Sequence, residues 1–354
     1  MKRRWKIAIV LGVLGAVMAS PILYIETSCS GPPMGWTADA PYQSVDPATT
    51  GKRPEARSWL TYPEWYIVYS AESYGRYLAQ GKRPSGYSYG RDIAGFWTGL
   101  CAVNRAAGAK EAGDAKIMLY TIGLSFSVEM AVKGFYENVF GRITEWLGGA
   151  DSSTDKYNAQ VWQRYGQFMH ETPWYRFDFN EAGGGLWRTS GSRYRDWERR
   201  LAIGTEYTVK WGYSKLIGFG AETTMDGAAP TLTFVARGDP KAIAAVDPRL
   251  KPGAVLPGGL VVVEAPRYAQ FTELLGKMAK AGVELVEIAG NDDILVTMLM
   301  PDDAPIPAGT TRLFQVALDD RPGWRRVGVS VKTPALLPLL RAPGGAEIEH
   351  VYDY

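Results

Sequence analysis

The sequence predicts an α+β protein in which an N-terminal transmembrane helix precedes a helical domain and a C-terminal α/β sandwich. Three observations support this class. The stretch 7–25 carries no charge, apolar residues repeat at helical spacing between about 58 and 221, and the repeat changes to every second residue from about Thr231 onward. The chain has 354 residues, of which 46% are apolar and 21% charged, so it is able to form a hydrophobic core.

The stretch 7–25 predicts a single membrane anchor that is preceded by a short cytoplasmic tail, residues 1–6. At about 1.5 Å per residue the helix reaches about 28 Å, close to the roughly 30 Å hydrocarbon core of a bilayer. The basic residues before it place the N-terminus in the cytoplasm and the bulk of the chain on the extracytoplasmic side of the inner membrane. The alternative is a cleaved signal peptide, with residues 17–19 near the cleavage point. The basic residues are Lys2, Arg3, Arg4 and Lys6.

Residues 26–57 are predicted to form an extended stalk that separates the folded part from the membrane. They are rich in Pro, Gly, Ser and Thr and show no apolar periodicity. Cys29 lies in this stalk, and the other cysteine of the chain, Cys101, lies in an apolar stretch. An oxidising compartment would allow a disulfide between them, but the apolar surroundings of Cys101 favour free thiols.

The range 58–221 is expected to fold as a helical bundle rich in Trp and Tyr. Its third helix is the longest, and the segment 117–132 within it is largely apolar. Sixteen residues span only about 24 Å, and Glu129 lies among them, so a buried helix is favoured over a second membrane crossing. The predicted helices cover 61–81, 91–107, 114–147, 154–171 and 192–217.

The remainder is divided into a linker with one strand, 222–258, and an α/β domain, 259–354. β-branched residues at alternating positions and turn residues between them predict the strands of this domain. The order of strands and helices resembles the split βαβ, or ferredoxin-like, plan, which implies one mostly antiparallel sheet with helices on one face. The predicted strands are 260–263, 283–288, 293–300, 313–318, 327–331 and the C-terminal tail.

Composition and missing motifs narrow the function classes. The sequence contains no phosphate-binding glycine loop, no paired zinc-ligand motif and no nucleophile elbow. The chain has two histidines, which argues against a polyhistidine metal centre, and no cofactor or metal is predicted. Its formal net charge of +2 gives no nucleic-acid-binding signature, so no nucleic-acid partner is expected.

Carboxylates are the strongest catalytic candidates in the sequence. Glu129 has apolar sequence neighbours, and apolar surroundings favour the protonated acid that a general acid needs. Glu72 and Glu64 lie two turns apart on the first helix of the bundle, which would allow a second carboxylate to face Glu129. A structural role is nevertheless favoured for Glu129, because Lys133 and Glu137 follow it at helical spacing and can form a local ion-pair ladder.

Aromatic clusters suggest a binding surface instead. Trp65, Tyr69 and Trp187 combine apolar rings with polar tips, and Arg193 lies in a basic run near Trp187. These residues suit an envelope protein or a lipid as partner, although core packing explains the aromatic residues equally well. The sequence therefore favours a noncatalytic envelope protein that binds or assembles with another envelope component or an amphipathic ligand. The alternative is an envelope hydrolase that acts through Glu129.

Overall fold

The protein is a mixed α+β structure, about 60% helical, with its strands in the C-terminal part. A computed structural model describes residues 2–29, 43–45, 61–107, 113–149, 152–224 and 231–352. The helices of the N-terminal part are α1 (Lys2–Ser28), α2 (Tyr62–Ala79), α3 (Tyr89–Ala107), α4 (Gly113–Tyr136), α5 (Arg142–Gly148), α6 (Ser153–Met169), α7 (Phe179–Trp187) and α8 (Tyr194–Thr224). A π-helical segment, Glu137–Gly141, joins α4 to α5.

The centre of the bundle is the close contact between α2 and α6. A Cβ atom at Gly75 of α2 would lie 2.8 Å from the backbone nitrogen of Gln163, and one at Gly166 of α6 would lie 3.3 Å from the Cα of Glu72. Glycines on both helices therefore allow the two backbones to approach directly. The side chain of Ser152 caps α6 by accepting hydrogen bonds from the next turn.

The end of α1 is attached directly to this bundle. Cys29 forms a disulfide with Cys101 of α3, and the side chain of Asn104 donates a hydrogen bond to the backbone oxygen of Cys29 at 3.0 Å. At the first turns of α4, the Lys116 ammonium lies 3.3 Å from the Glu26 carboxylate. The preference for free thiols was therefore wrong. The stalk prediction is also wrong at its start, because residues 26–28 continue α1 and Cys29 is buried against the bundle.

The rest of the predicted stalk lies mostly outside the described residues, except for 43–45. Ser44 donates a hydrogen bond to Glu287 Oε1, and the backbone nitrogen of Val45 donates to Glu287 Oε2, both at 2.9 Å. This segment therefore contacts the C-terminal part of the protein.

The C-terminal part contains two antiparallel four-stranded sheets, and the prediction of one sheet was wrong. The first has the order β2-β3-β1-β4 and the second the order β6-β7-β5-β8. The predicted strands are divided between the two sheets. The range 222–258, predicted to be a linker with one strand, contains two strands of the first sheet and a helix between them. The elements are β1 (Thr231–Arg237), α9 (Pro240–Val246), β2 (Lys251–Leu256), β3 (Leu260–Pro266), α10 (Ala269–Ala281), β4 (Glu284–Ile288), β5 (Asp293–Pro301), β6 (Thr310–Ala317), β7 (Trp324–Lys332), α11 (Thr333–Arg341) and β8 (Glu347–Val351).

Two hydrophobic cores hold these parts together. One contains buried apolar residues of both sheets and of the helices α10 and α11. The other fills the helical bundle and also takes in Leu295, Phe314 and Tyr352. The ring of Tyr62 on α2 lies 4.2 Å from that of Phe314 on β6, so the second sheet packs directly against the bundle.

Candidate functional site

Glu129 lies between α4 and α8, where it is ion-paired. Its carboxylate is 2.7 Å from the Lys210 ammonium, and two further pairs join the same two sides of the bundle. Because each pair joins opposite charges, the charged side chains on the facing sides of α4 and α8 neutralise each other. The further pairs are Lys133 with Glu206 at 3.0 Å and Glu137 with Arg199 at 2.7 Å.

The two lysines of these pairs lie over aromatic rings. The ammonium of Lys133 is 4.1 Å from the ring centre of Trp162, and that of Lys210 is 5.1 Å from the same ring. Burial lowers the pKa of Lys210, but the charges of Glu129 and Glu206 outweigh it and raise the pKa above its ordinary value. Lys210 therefore stays charged. Glu129 thus lies against a cation and not in the apolar surroundings that were expected for a general acid.

Glu72 belongs to a different cluster, on the side of α2 that faces His170. Glu72 Oε1 lies 2.7 Å from His170 Nε2, and Arg76 is 3.3 Å from the other carboxylate oxygen. Burial raises the pKa of Glu72, but the hydrogen bonds and charges of His170 and Arg76 outweigh it, and the net pKa is lowered. Arg76 also pairs with Asp320 at 2.7 Å, which ties α2 to the segment between β6 and β7.

Trp65 brings together the two histidines of the chain, an arrangement that the sequence did not suggest. Its ring lies 4.0 Å from the His350 ring and 5.6 Å from the His170 ring. Burial, and to a smaller degree the charge of His170, lower the pKa of His350 to about 3, so it is neutral at physiological pH. Tyr69, stacked on Trp65, is also buried, and these two predicted ligand-binding aromatics form core packing. Glu64 is exposed on α2.

Trp187 and Arg193 are the predicted binding residues that lie on the surface. Trp187 is 52% exposed and makes an edge contact with Trp197 of α8 at 6.0 Å. Arg193 is exposed, just before α8. The basic run that contains Arg193 is not an exposed positive patch, because Arg195 and Arg199 are buried in internal ion pairs.

A small polar cavity between α2, α3 and β6 was not predicted. The carboxylate of Asp92 accepts hydrogen bonds from the hydroxyl groups of Tyr66, Ser70 and Tyr87, at 3.0, 2.5 and 2.8 Å. Burial raises the pKa of Asp92 despite these hydrogen bonds. The cavity, which Arg326 also lines, has a volume of about 20 Å³. This is room for about one water molecule, so the site is too small for an organic substrate.

Many exposed apolar side chains lie on the outer sides of α4, α5 and α8, and we call these sides the apolar face. Among the described residues, one helical segment, Lys116–Gly148, is long and apolar enough to cross a membrane by length and composition. Only 28% of its most apolar window is buried, so the expectation of a buried helix was wrong for its outer side. Exposed large residues of the apolar face are Ile117, Val128, Val132, Phe135, Val139, Phe140, Ile143, Trp146, Leu147, Tyr194, Trp197, Leu201, Val209, Trp211 and Leu216.

Neither a metal site nor a relative points to a known activity. In the part of the chain that the structure describes, no group of three or more His, Cys, Asp and Glu side chains is arranged to hold a metal ion. Comparison with protein-family models, with curated proteins and with solved structures gives no match to this chain.

Proposed function

We propose that this chain is a membrane-anchored envelope protein that binds another envelope component or an amphipathic ligand and does not catalyse a reaction. Residues 7–25 of α1 would cross the inner membrane, and the folded part would lie on the extracytoplasmic side. Several side chains of this stretch lie outside the described part of the structure, so the anchor rests on the sequence. The Cys29–Cys101 disulfide supports this placement, because disulfides persist in oxidising compartments outside the cytoplasm.

The apolar face is the observation that carries the binding role. A folded monomer rarely exposes a large apolar patch to water, and such patches usually mark contacts with proteins or membranes. The helices of the apolar face expose many large apolar side chains. Trp187 and Arg193 are exposed near the start of α8, and they extend this surface with an aromatic ring and a cation. The surface therefore suits a partner that is both apolar and polar.

The hydrolase alternative receives little support from the same geometry. Glu129 is paired with Lys210, and Glu72 is paired with His170 and Arg76. The two carboxylates thus belong to separate clusters, each with its own cations, and do not form the pair of acids that glycoside cleavage uses.

Membrane topology is the first test. An alkaline phosphatase fused to the C-terminus is expected to be active, and the full chain is expected to stay in membranes after carbonate extraction. In the Leu14→Arg variant, carbonate should release a larger fraction of the chain from the membranes, because a charge at the centre of the span costs about 2.5 to 3.5 kcal/mol of insertion free energy. The control is Val255→Arg, at an exposed position on β2. A wild-type chain that carbonate removes, or an inactive fusion at normal abundance, would refute the anchor.

The noncatalytic role is tested separately with Glu129→Gln, which keeps the shape of the side chain and removes its charge. In cells in which deletion of the chain impairs growth, this variant is expected to restore growth as well as the wild type. Failure to restore growth at normal abundance, together with rescue by Glu129→Asp, would favour the hydrolase.

A further inference from the structure

We infer that the apolar face lies in the plane of the membrane surface, embedded in the outer leaflet of the bilayer that α1 crosses. This inference rests on the proposed anchor and names the partner of the apolar face as lipid. Three observations support it: the direction of the polar sides of the helices, the position of the anchor, and the basic and aromatic residues exposed on these helices.

The helices of the apolar face have their polar sides turned inward. Glu129, Lys133 and Glu137 point from the α4 side to partners on α8. On α8 the outward positions recur at three- and four-residue spacing and are occupied by Tyr194, Trp197, Leu201, Thr205, Thr208, Gly212 and Leu216. A helix in contact with water has the opposite arrangement, with apolar residues inward.

The anchor ends next to this face. Ile25, the last residue of the predicted span, is buried in the bundle, and Glu26 contacts Lys116 and Tyr120 on the first turns of α4. The bundle therefore begins where the span ends, with no stalk in between. A bilayer crossed by α1 is thus immediately beside the N-terminal end of α4.

The exposed residues of these helices include types that membrane surfaces favour. Among the described exposed residues of Lys116–Gly148 and α8, the charged ones are Arg142 and Lys215, both basic. Long basic side chains extend toward lipid headgroups and are attracted by anionic lipids. Trp146, 83% exposed, and Trp197 are among several aromatic residues suited to the headgroup level.

Contact in the plane of the membrane agrees better with these helices than a second crossing. The segment Lys116–Gly148 includes Glu129, Lys133 and Glu137, and their partners on α8 would enter the bilayer with them. Each charge at the centre of a bilayer is costly. An amphipathic helix that lies about 5 to 10 Å deep buries its apolar side and leaves the ion pairs above the hydrocarbon.

The test places a fluorescent label on the apolar face and on a matched control. Val132 on α4 is 64% exposed and Val255 on β2 is 63% exposed, so cysteine is tolerated at either position without repacking the core. The native cysteines are joined in a disulfide, so a thiol-reactive NBD label attaches to the introduced cysteine. The full chain is reconstituted in vesicles of phosphatidylethanolamine and phosphatidylglycerol, with iodide as the aqueous quencher and doxyl-labelled lipid as the membrane quencher. Val209→Cys, on α8, provides a second position on the face.

We expect several-fold weaker iodide quenching at positions 132 and 209 than at 255, together with quenching by doxyl lipid at 132 and 209 alone. Equal iodide quenching at all three positions in a carbonate-resistant chain would overturn the inference and leave the anchor intact. Protection from both quenchers would show that protein covers the face, for example a second copy, and would also overturn it. Loss of the chain from the vesicles would refute the proposed anchor instead.

Discussion

The disulfide offers the sharpest test of how α1 is attached to the bundle. The perturbation is the double substitution of Cys29 and Cys101 by serine. The bond closes a loop with a sequence separation of 72 residues and fixes the end of α1 to α3. Asn104 still donates its hydrogen bond to the backbone of residue 29 in the variant, so the native contacts change little. The main effect is expected in the unfolded chain, which regains the freedom that the bond removes.

The size of this effect follows from the loop length. For a separation of 72 residues, the chain-entropy relation gives a loss of about 4 kcal/mol in the free energy of unfolding at 25 °C. Native disulfides typically contribute about 2 to 5 kcal/mol, so the expected loss lies within the usual range. The expected destabilisation is therefore large compared with that of most single surface substitutions.

The assay is urea unfolding of the full chain in detergent micelles, followed by tryptophan fluorescence. The double variant is expected to unfold at a lower urea concentration than the oxidised wild type, with a similar slope. Addition of a reductant should move the wild type to the midpoint of the variant and leave the variant unchanged. Identical midpoints for the variant, the oxidised wild type and the reduced wild type would refute the bond between these cysteines.

Three further predictions test the interior of the protein. Gly75→Ala places a Cβ atom 2.8 Å from the backbone of α6. The clash is expected to destabilise the bundle by about 1 to 3 kcal/mol, from which a helix-propensity gain of up to about 1 kcal/mol is subtracted. Gly204→Ala, with no heavy atom within 4 Å of the added Cβ, should be neutral or stabilising, and the urea midpoints of the two variants are compared. Arg199→Met leaves the buried carboxylate of Glu137 and the half-buried one of Asp155 without their shared cation. It should cost about 3 to 5 kcal/mol in the same assay, and a variant as stable as the wild type would contradict the pairing. The pKa of Glu72 is lowered from 4.5 in the folded state, so the ionised carboxylate stabilises the fold fully above pH 4.5 and loses this effect as the pH falls through the lowered pKa. Glu72→Gln should therefore flatten the pH dependence of the free energy of unfolding in this acidic range. An unchanged pH profile would contradict the pair with His170.

The helical elements were predictable because their apolar periodicity is local. Each predicted helix of the bundle overlaps an observed one, although the predicted third helix, 114–147, is α4, the π-helical segment and α5 together. The arrangement of the strands in two sheets was harder to predict from the sequence. Lys251–Leu256 contains Pro252 and Gly253 and lies mostly exposed at the edge of its sheet, so β2 has almost none of the alternation that identifies a strand.

The partner of Glu129 was not predictable from the sequence because neighbours in sequence are not neighbours in space. Val128 precedes Glu129 in the chain but points to the exposed side of α4, while Glu129 points toward α8 and meets Lys210. Successive residues of a helix face different directions, so an apolar sequence context does not place a carboxylate in apolar surroundings. The partner lies on another helix, and no local pattern encodes it.

The same reasoning explains why the apolar face itself was assigned to the interior. A helix whose apolar side faces the core has the same periodicity as one whose apolar side faces outward, so the pattern of α4 and α5 does not reveal which side meets the solvent. The deciding information is the position of the charged partners, since ion pairs with Lys210, Glu206 and Arg199 fix the polar side inward. Because the outward side then exposes valine, phenylalanine and tryptophan side by side, water is a poor solvent for it. If α1 crosses the bilayer as we propose, lipid lies beside this side of the protein and covers the apolar face without any change in the fold.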